Sequence, residues 1–155
     1  MFITVHAASG LIIGQIITNP MLSFITGLAS HFLLDIIPHG DQDLIEKNST
    51  VTEKEKILLL KLGLTDAVIM MSLLSIFYLN YPLSWSIVTA VIGTLLPDFL
   101  SAVYLVTKFK QLKKIFEFQH RLHYILGNFT VNLKLGFIVQ IIFLIGFIAW
   151  SFQLK

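Results

Sequence analysis

Apolar residues fill most of this chain in five long stretches, separated by a few sharply placed polar or turn-forming positions. The first stretch covers about Phe2 to Thr18 and is closed by Asn19-Pro20, a turn signal. The second covers about Met21 to Ile37 and is closed by Pro38, with Gly40 just beyond. A polar stretch from Asp41 to Lys56 follows, in which Glu53-Lys54-Glu55-Lys56 reads as a helix start with Thr50 or Thr52 as its N-cap. The third stretch covers about Ile57 to Leu79, ahead of the turn Asn80-Tyr81-Pro82. The fourth covers about Leu83 to Val106 and the fifth about Phe129 to Phe152. Between the last two, Phe109, Leu112, Ile115, Phe116 and Phe118 recur at helical spacing through the basic segment Lys108 to Tyr124. Runs of this length predict an all-α, polytopic membrane helical bundle of about five transmembrane helices with a cytoplasmic amphipathic basic segment. The first two runs are near the short end of the range for a span, so tilt or local thinning is expected there.

Composition supports that class. Of 155 residues, 55% are hydrophobic and 13% charged, with a mean hydropathy of +0.81. A soluble domain would carry about 25% charged residues. A single integral membrane domain over residues 1–155 follows, and the net charge of +2 argues against a nucleic-acid partner. Cys is absent, which removes disulfides, thiolate metal sites and Cys nucleophiles. No basic n-region or Ala-x-Ala site accompanies the first run, so it reads as a retained span.

Charge placement predicts orientation. Five spans put the N-terminus, the 41–56 loop and the 107–128 loop on one face, with Lys47, Lys54, Lys56, Lys108, Lys110, Lys113, Lys114 and Arg121. The other face carries only Lys155. The positive-inside rule then places the N-terminus in the cytoplasm and the C-terminus outside, in the cytoplasmic (inner) membrane.

Nine of the ten His and Asp residues lie within or beside the apolar runs: His6, His31, Asp35, His39, Asp41, Asp66, Asp98, His120 and His123. An Asp at the centre of a membrane helix costs at least roughly 2.5–3.5 kcal/mol, so such a concentration calls for a role. On the predicted topology all nine fall in the cytoplasmic half. Gly27, His31, Asp35 and His39 repeat every four residues and would share one helical stripe. His6, Gly10 and Gly14 form a second stripe, whose glycines would admit a close helix, expected to be the one bearing His31. Pro97 removes a backbone hydrogen bond beside Asp98, and freed carbonyls at membrane depth must line a cavity or be buried in protein. His120 and His123 stand three apart, a ligand spacing on a helix.

Imidazole and carboxylate without thiolate suit zinc first, with iron, manganese or nickel as alternatives. The predicted metal ligands are His6, His31, Asp35, His39, Asp66, Asp98 and His120. The excess over the three that one catalytic zinc needs suggests two ions bridged by Asp35, Asp66 or Asp98. Plainer readings stand beside these. Asp66 could bond Lys61 or Thr65, Asp41 could close an Asx-turn after Gly40, and His6 could reach the interface. The segment holding His120 and His123 could simply bind anionic lipid.

At His6-x-x-x-Gly10, Leu96-Pro97-Asp98 after Gly93, and His120-Arg121…His123, the chain resembles the membrane-bound metal-dependent hydrolases of the YdjM type. It departs from that pattern in two ways. Asp35-Ile36-Ile37-Pro38-His39-Gly40-Asp41 occupies the early place of the Leu-Pro-Asp motif, and His123 follows Arg121 at a shorter spacing. The resemblance implies a metal hydrolase and names no substrate. With the one-sided cluster it leads to an expected hydrolase at the cytoplasmic leaflet, acting on a lipid phosphoester or similar amphiphile. In that reading metal-activated water attacks, and His123 or Asp41 serves as general acid/base. Arg121 and Lys108, Lys110, Lys113 and Lys114 hold the anionic head group. The alternatives are a divalent-cation or proton carrier using the same cluster, or an accessory subunit whose polar groups only join helices.

Overall fold

A computed structural model describes residues 1–39, 53–123 and 131–154. Among them the chain is all-helical, with no strand. The helices are α1 (Ile3–Ile16), α2 (Pro20–Ile36), α3 (Glu53–Asn80), α4 (Trp85–Thr107), α5 (Lys110–His123) and α6 (Leu133–Gln153). Their starts follow local chemistry. The side chains of Asn19, Ser84 and Asn132 accept from the backbone N–H three residues on, at 3.0, 3.2 and 2.9 Å, and Pro20 opens α2. Pro38 disfavours helical backbone at Ile37, and α2 stops at Ile36.

Three helices are long and apolar enough to cross a membrane: α3 over Lys61–Asn80, α4 over its whole length and α6 over Lys134–Gln153. That marks a membrane protein and corrects the expectation of five spans. With 14 and 17 residues, α1 and α2 are about 21 and 26 Å long, short of the roughly 30 Å hydrocarbon core. The Ile17–Asn19 turn and Pro38 cut them there. The basic segment forms the separate helix α5, as its spacing predicts.

The centre of the bundle is α4, which packs most extensively on α2 and α1. Glycine sets both contacts. A Cβ at Gly14 would meet the α4 backbone, with Ile87 N at 2.7 Å and Ser86 O at 2.8 Å, and Gly27 lies against the Ala90 backbone. The Gly10–Gly14 stripe therefore faces α4, whereas the sequence reading expected α2. The reason is that α1 and α2 both seek α4, each by its own small-residue face. α1 runs antiparallel to α4 and α2 parallel to it, so His6, His31 and Asp98 arrive at one end.

The first turn of α1 is held from outside. Phe2, its N-cap, offers no side-chain oxygen. Gln140 of α6 accepts from Phe2 N–H at 2.6 Å, and Asp66 of α3 accepts from Ile3 N–H at 2.7 Å and Thr4 N–H at 3.4 Å, as well as from the Thr4 hydroxyl. Four N–H groups at a helix start lack intrahelical partners, and here two other helices serve those of Phe2, Ile3 and Thr4.

Candidate metal centre

One ligand atom each from His6, His31 and Asp98 fall within 4.8 Å of one another, so these residues could hold a metal ion. His6 and His31 are fully buried, their rings stacked at 4.2 Å. Asp98 is 26% exposed, so the group opens on its side. Its Oδ2 is 3.9 Å from His6 Nε2 and its Oδ1 is 3.9 Å from His31 Nε2. Asp35, also buried, lies against both imidazoles, at 3.1 Å from His6 Nε2 and 3.2 Å from His31 Nε2. The His31–Asp35 spacing of one helical turn places both on the face that α2 turns to α4.

Tautomer follows from partners. His31 Nδ1 is 2.8 Å from the Thr94 carbonyl, which only accepts, so Nδ1 carries the hydrogen. In the neutral ring the Nε2 lone pair then faces the carboxylates of Asp35 and Asp98. Gln119 Nε2 donates to that nitrogen at 3.2 Å and to Asp98 Oδ1 at 2.6 Å. A carbonyl fixing the far nitrogen of a histidine is the usual outer-shell arrangement of a metal ligand. One amide thus serves both His31 Nε2 and Asp98, and a divalent ion in its place could be held by His6, His31 and Asp98 together. His6 Nδ1 is buried and has no hydrogen-bond partner among the described residues. Pro97 leaves the Gly93 carbonyl without its helical N–H donor, yet the carbonyl that reaches His31 is that of Thr94, one residue on.

The other predicted residues are placed as follows. His39 lies beyond the end of α2 but is fully buried. Its Nδ1–H donates to the Ile37 carbonyl at 2.7 Å, and its Nε2 is 2.8 Å from the amino group of Met1. That amino group also donates to Asp35 Oδ1 at 2.9 Å. His39 thus connects to Asp35 through the Met1 amino group and is not in the three-residue group. Asp66 serves the first turn of α1, and its partners are Ile3 and Thr4 rather than Lys61 or Thr65. Arg121 is exposed on α5. Asp41 lies outside the described residues, as do the side chains of His120 and His123, whose backbone belongs to α5.

Sequence reasoning missed Gln119 and Gln140. Gln119 comes four residues after Ile115 and three after Phe116, a polar residue on the apolar face of an amphipathic helix. Gln140 is a lone amide inside the last apolar run; its Nε2–H donates to the His39 carbonyl at 3.0 Å. Both signals were present in the residue pattern. No family model, curated protein or solved structure matches this chain.

Proposed function

We propose that this chain is a membrane-embedded metal-dependent hydrolase acting on a lipid phosphoester or similar amphiphile at the cytoplasmic leaflet. The observation that carries this reading is the His6–His31–Asp98 group, with Asp35 against both imidazoles and an opening at Asp98. Three protein ligands with an open side match a catalytic rather than a closed structural site. Zinc is the ion the donor set favours, with iron, manganese and nickel next. A divalent ion held there supplies Lewis acidity and water activation at neutral pH.

The chain's own residues do the rest. Asp35 orients His6 and His31, Thr94 fixes the His31 tautomer, and Gln119 positions Asp98. The basic residues of α5 and Lys108 attract an anionic head group, and Arg121 offers a bidentate fork for phosphate. The acid/base role is assigned to Asp41 or His123. The positive-inside bias of the two basic loops supports a cytoplasmic opening, and the likeness to the YdjM-type hydrolases supports the reaction class.

A carrier would need ligands that continue toward the other end of the bundle. The groups there are Ser, Thr and Gln already engaged in hydrogen bonds. The test is purified protein assayed for bound metal by mass spectrometry and for phosphate or fatty-acid release from mixed lipids, beside divalent-ion flux in proteoliposomes. Metal-dependent release without flux is expected. Flux without release would replace the hydrolase with the carrier.

A further inference from the structure

A cleft of about 330 Å³ opens between α2, α4 and α5 beside the metal group. Leu28, Phe32, Pro97, Leu100 and Phe118 form its apolar walls, and among its lining residues only Lys114 is charged. Cleft and centre meet at one wall, and two more cleft residues adjoin the centre in sequence. Phe32 follows His31 and sets its ring edge-on to that imidazole at 5.3 Å; Phe118 precedes Gln119 and meets Phe32 edge-on at 5.3 Å. Pro97 precedes Asp98.

We infer that this cleft is a subsite for a single acyl chain of an anionic amphiphile, whose carboxylate or phosphate is held by Lys114. Three observations select that occupant. Ordered water needs two to four polar partners, and the cleft offers one, so it is not built for water. A methylene fills roughly the volume of a water molecule, about 30 Å³, so the cleft takes on the order of ten methylenes, one chain and not two. The one charge on the wall is positive, and although Lys113 on the same helix pairs with Glu117 at 3.5 Å, Lys110 adds a second positive charge, so a negative head group is the complement. This subsite rests on the hydrolase reading for its purpose, since it would place the chain of an amphiphile beside the Asp98 opening.

The experiment uses the full chain in phosphatidylcholine nanodiscs with a diazirine-bearing fatty acid, the cross-links being mapped by peptide mass spectrometry. Labelling is expected at the cleft residues of α2, α4 and α5. Leu100→Trp, which fills the cleft, should lower it at least about fivefold, and Lys114→Gln should abolish the preference for the acid over its methyl ester, about a tenfold change. Lys114→Gln alters a side chain on α5 outside the packed α1–α2–α4 core, so it keeps the test valid where Leu100→Trp misfolds. His6→Ala, on α1 and so outside the cleft lining, should leave labelling intact, so loss of hydrolysis and loss of the subsite are read separately. Label spread over the exposed faces of α3 and α6, or an equal yield for acid and ester, would overturn the subsite.

Discussion

The two ends of the α1–α2–α4 core use polar residues in opposite ways. At the turn end, Ser23 donates to the Ile17 carbonyl at 2.9 Å, Ser86 to the Thr18 carbonyl at 2.5 Å and Thr89 to the Pro20 carbonyl at 2.8 Å. Gln15 donates to the Ser151 carbonyl at 3.2 Å and accepts from its hydroxyl at 2.9 Å. These groups are neutral, and each donor meets an acceptor. At the other end, two imidazoles and two carboxylates converge, and the donors that reach them are the Met1 amino group and the Gln119 amide. Neutral pairs in a membrane hold helices together, at about 0.6 kcal/mol each. Buried ionisable groups are costly unless paired, and imidazole with carboxylate is a set that can bind a metal ion. The same core therefore has a joining end and an end that could hold a metal ion, the ligand end, and the ionisable side chains tell them apart where burial alone does not. Tyr81, whose buried hydroxyl has no partner among the described residues, is the exception at the joining end.

Removing a ligand should separate the ends most strongly. His31→Ala and Asp98→Ala are each expected to drop bound metal from stoichiometric to below about a tenth of an equivalent, while the protein stays folded in detergent. Elemental mass spectrometry with circular dichroism reads both. Full metal content in both variants would show that the converging groups only join helices, and the contrast between the ends would vanish.

Much of this was legible in residue order. The three long spans match their apolar runs within a few residues, apart from the first turns of α3 and α6, because Ser84, Asn132 and the turn at 80–82 punctuate them locally. His6, His31 and Asp98 stood out as ionisable groups in apolar surroundings. What residue order did not show is which helix each glycine stripe would meet. Gly10, Gly14, Gly27 and Gly93 are interchangeable as patterns, and only tertiary packing gives α4 to both α1 and α2. Asp66 reads as a ligand or glue candidate and Gln140 goes unnoticed in the sequence, because the orphan N–H groups of α1 are not visible until its N-terminus is placed. Five spans are too many for a related reason: the first apolar run of 17 residues yields a helix of only 14, and the second yields 17, about 26 Å against a core of roughly 30 Å.

Asp66 tests whether charge near the ligand end always means ligand. Asp66→Ala removes the acceptors for Ile3 N–H and Thr4 N–H, a cap supplied by another helix. A lost cap costs about 1–2 kcal/mol, and that loss should appear in SDS or thermal unfolding. Metal stoichiometry should persist. If metal is lost and stability kept, Asp66 is a ligand and the ligand end reaches α3.

Ser86→Ala is the smallest change and the sharpest control at the joining end. Its hydroxyl bonds the Thr18 carbonyl across the α1–α2 turn, and its backbone oxygen lies where a Cβ on Gly14 would fall. Deleting the hydroxyl leaves that close approach intact and removes one neutral bond, so stability should fall by about 0.6 kcal/mol. Metal affinity should not change, because Ser86 is three helical turns from Asp98 along α4, about 18 Å at 1.5 Å per residue. A tenfold weaker affinity would mean that the turn sets the register of His6 and His31 against α4. The two ends would then be one coupled device rather than a joint and a site.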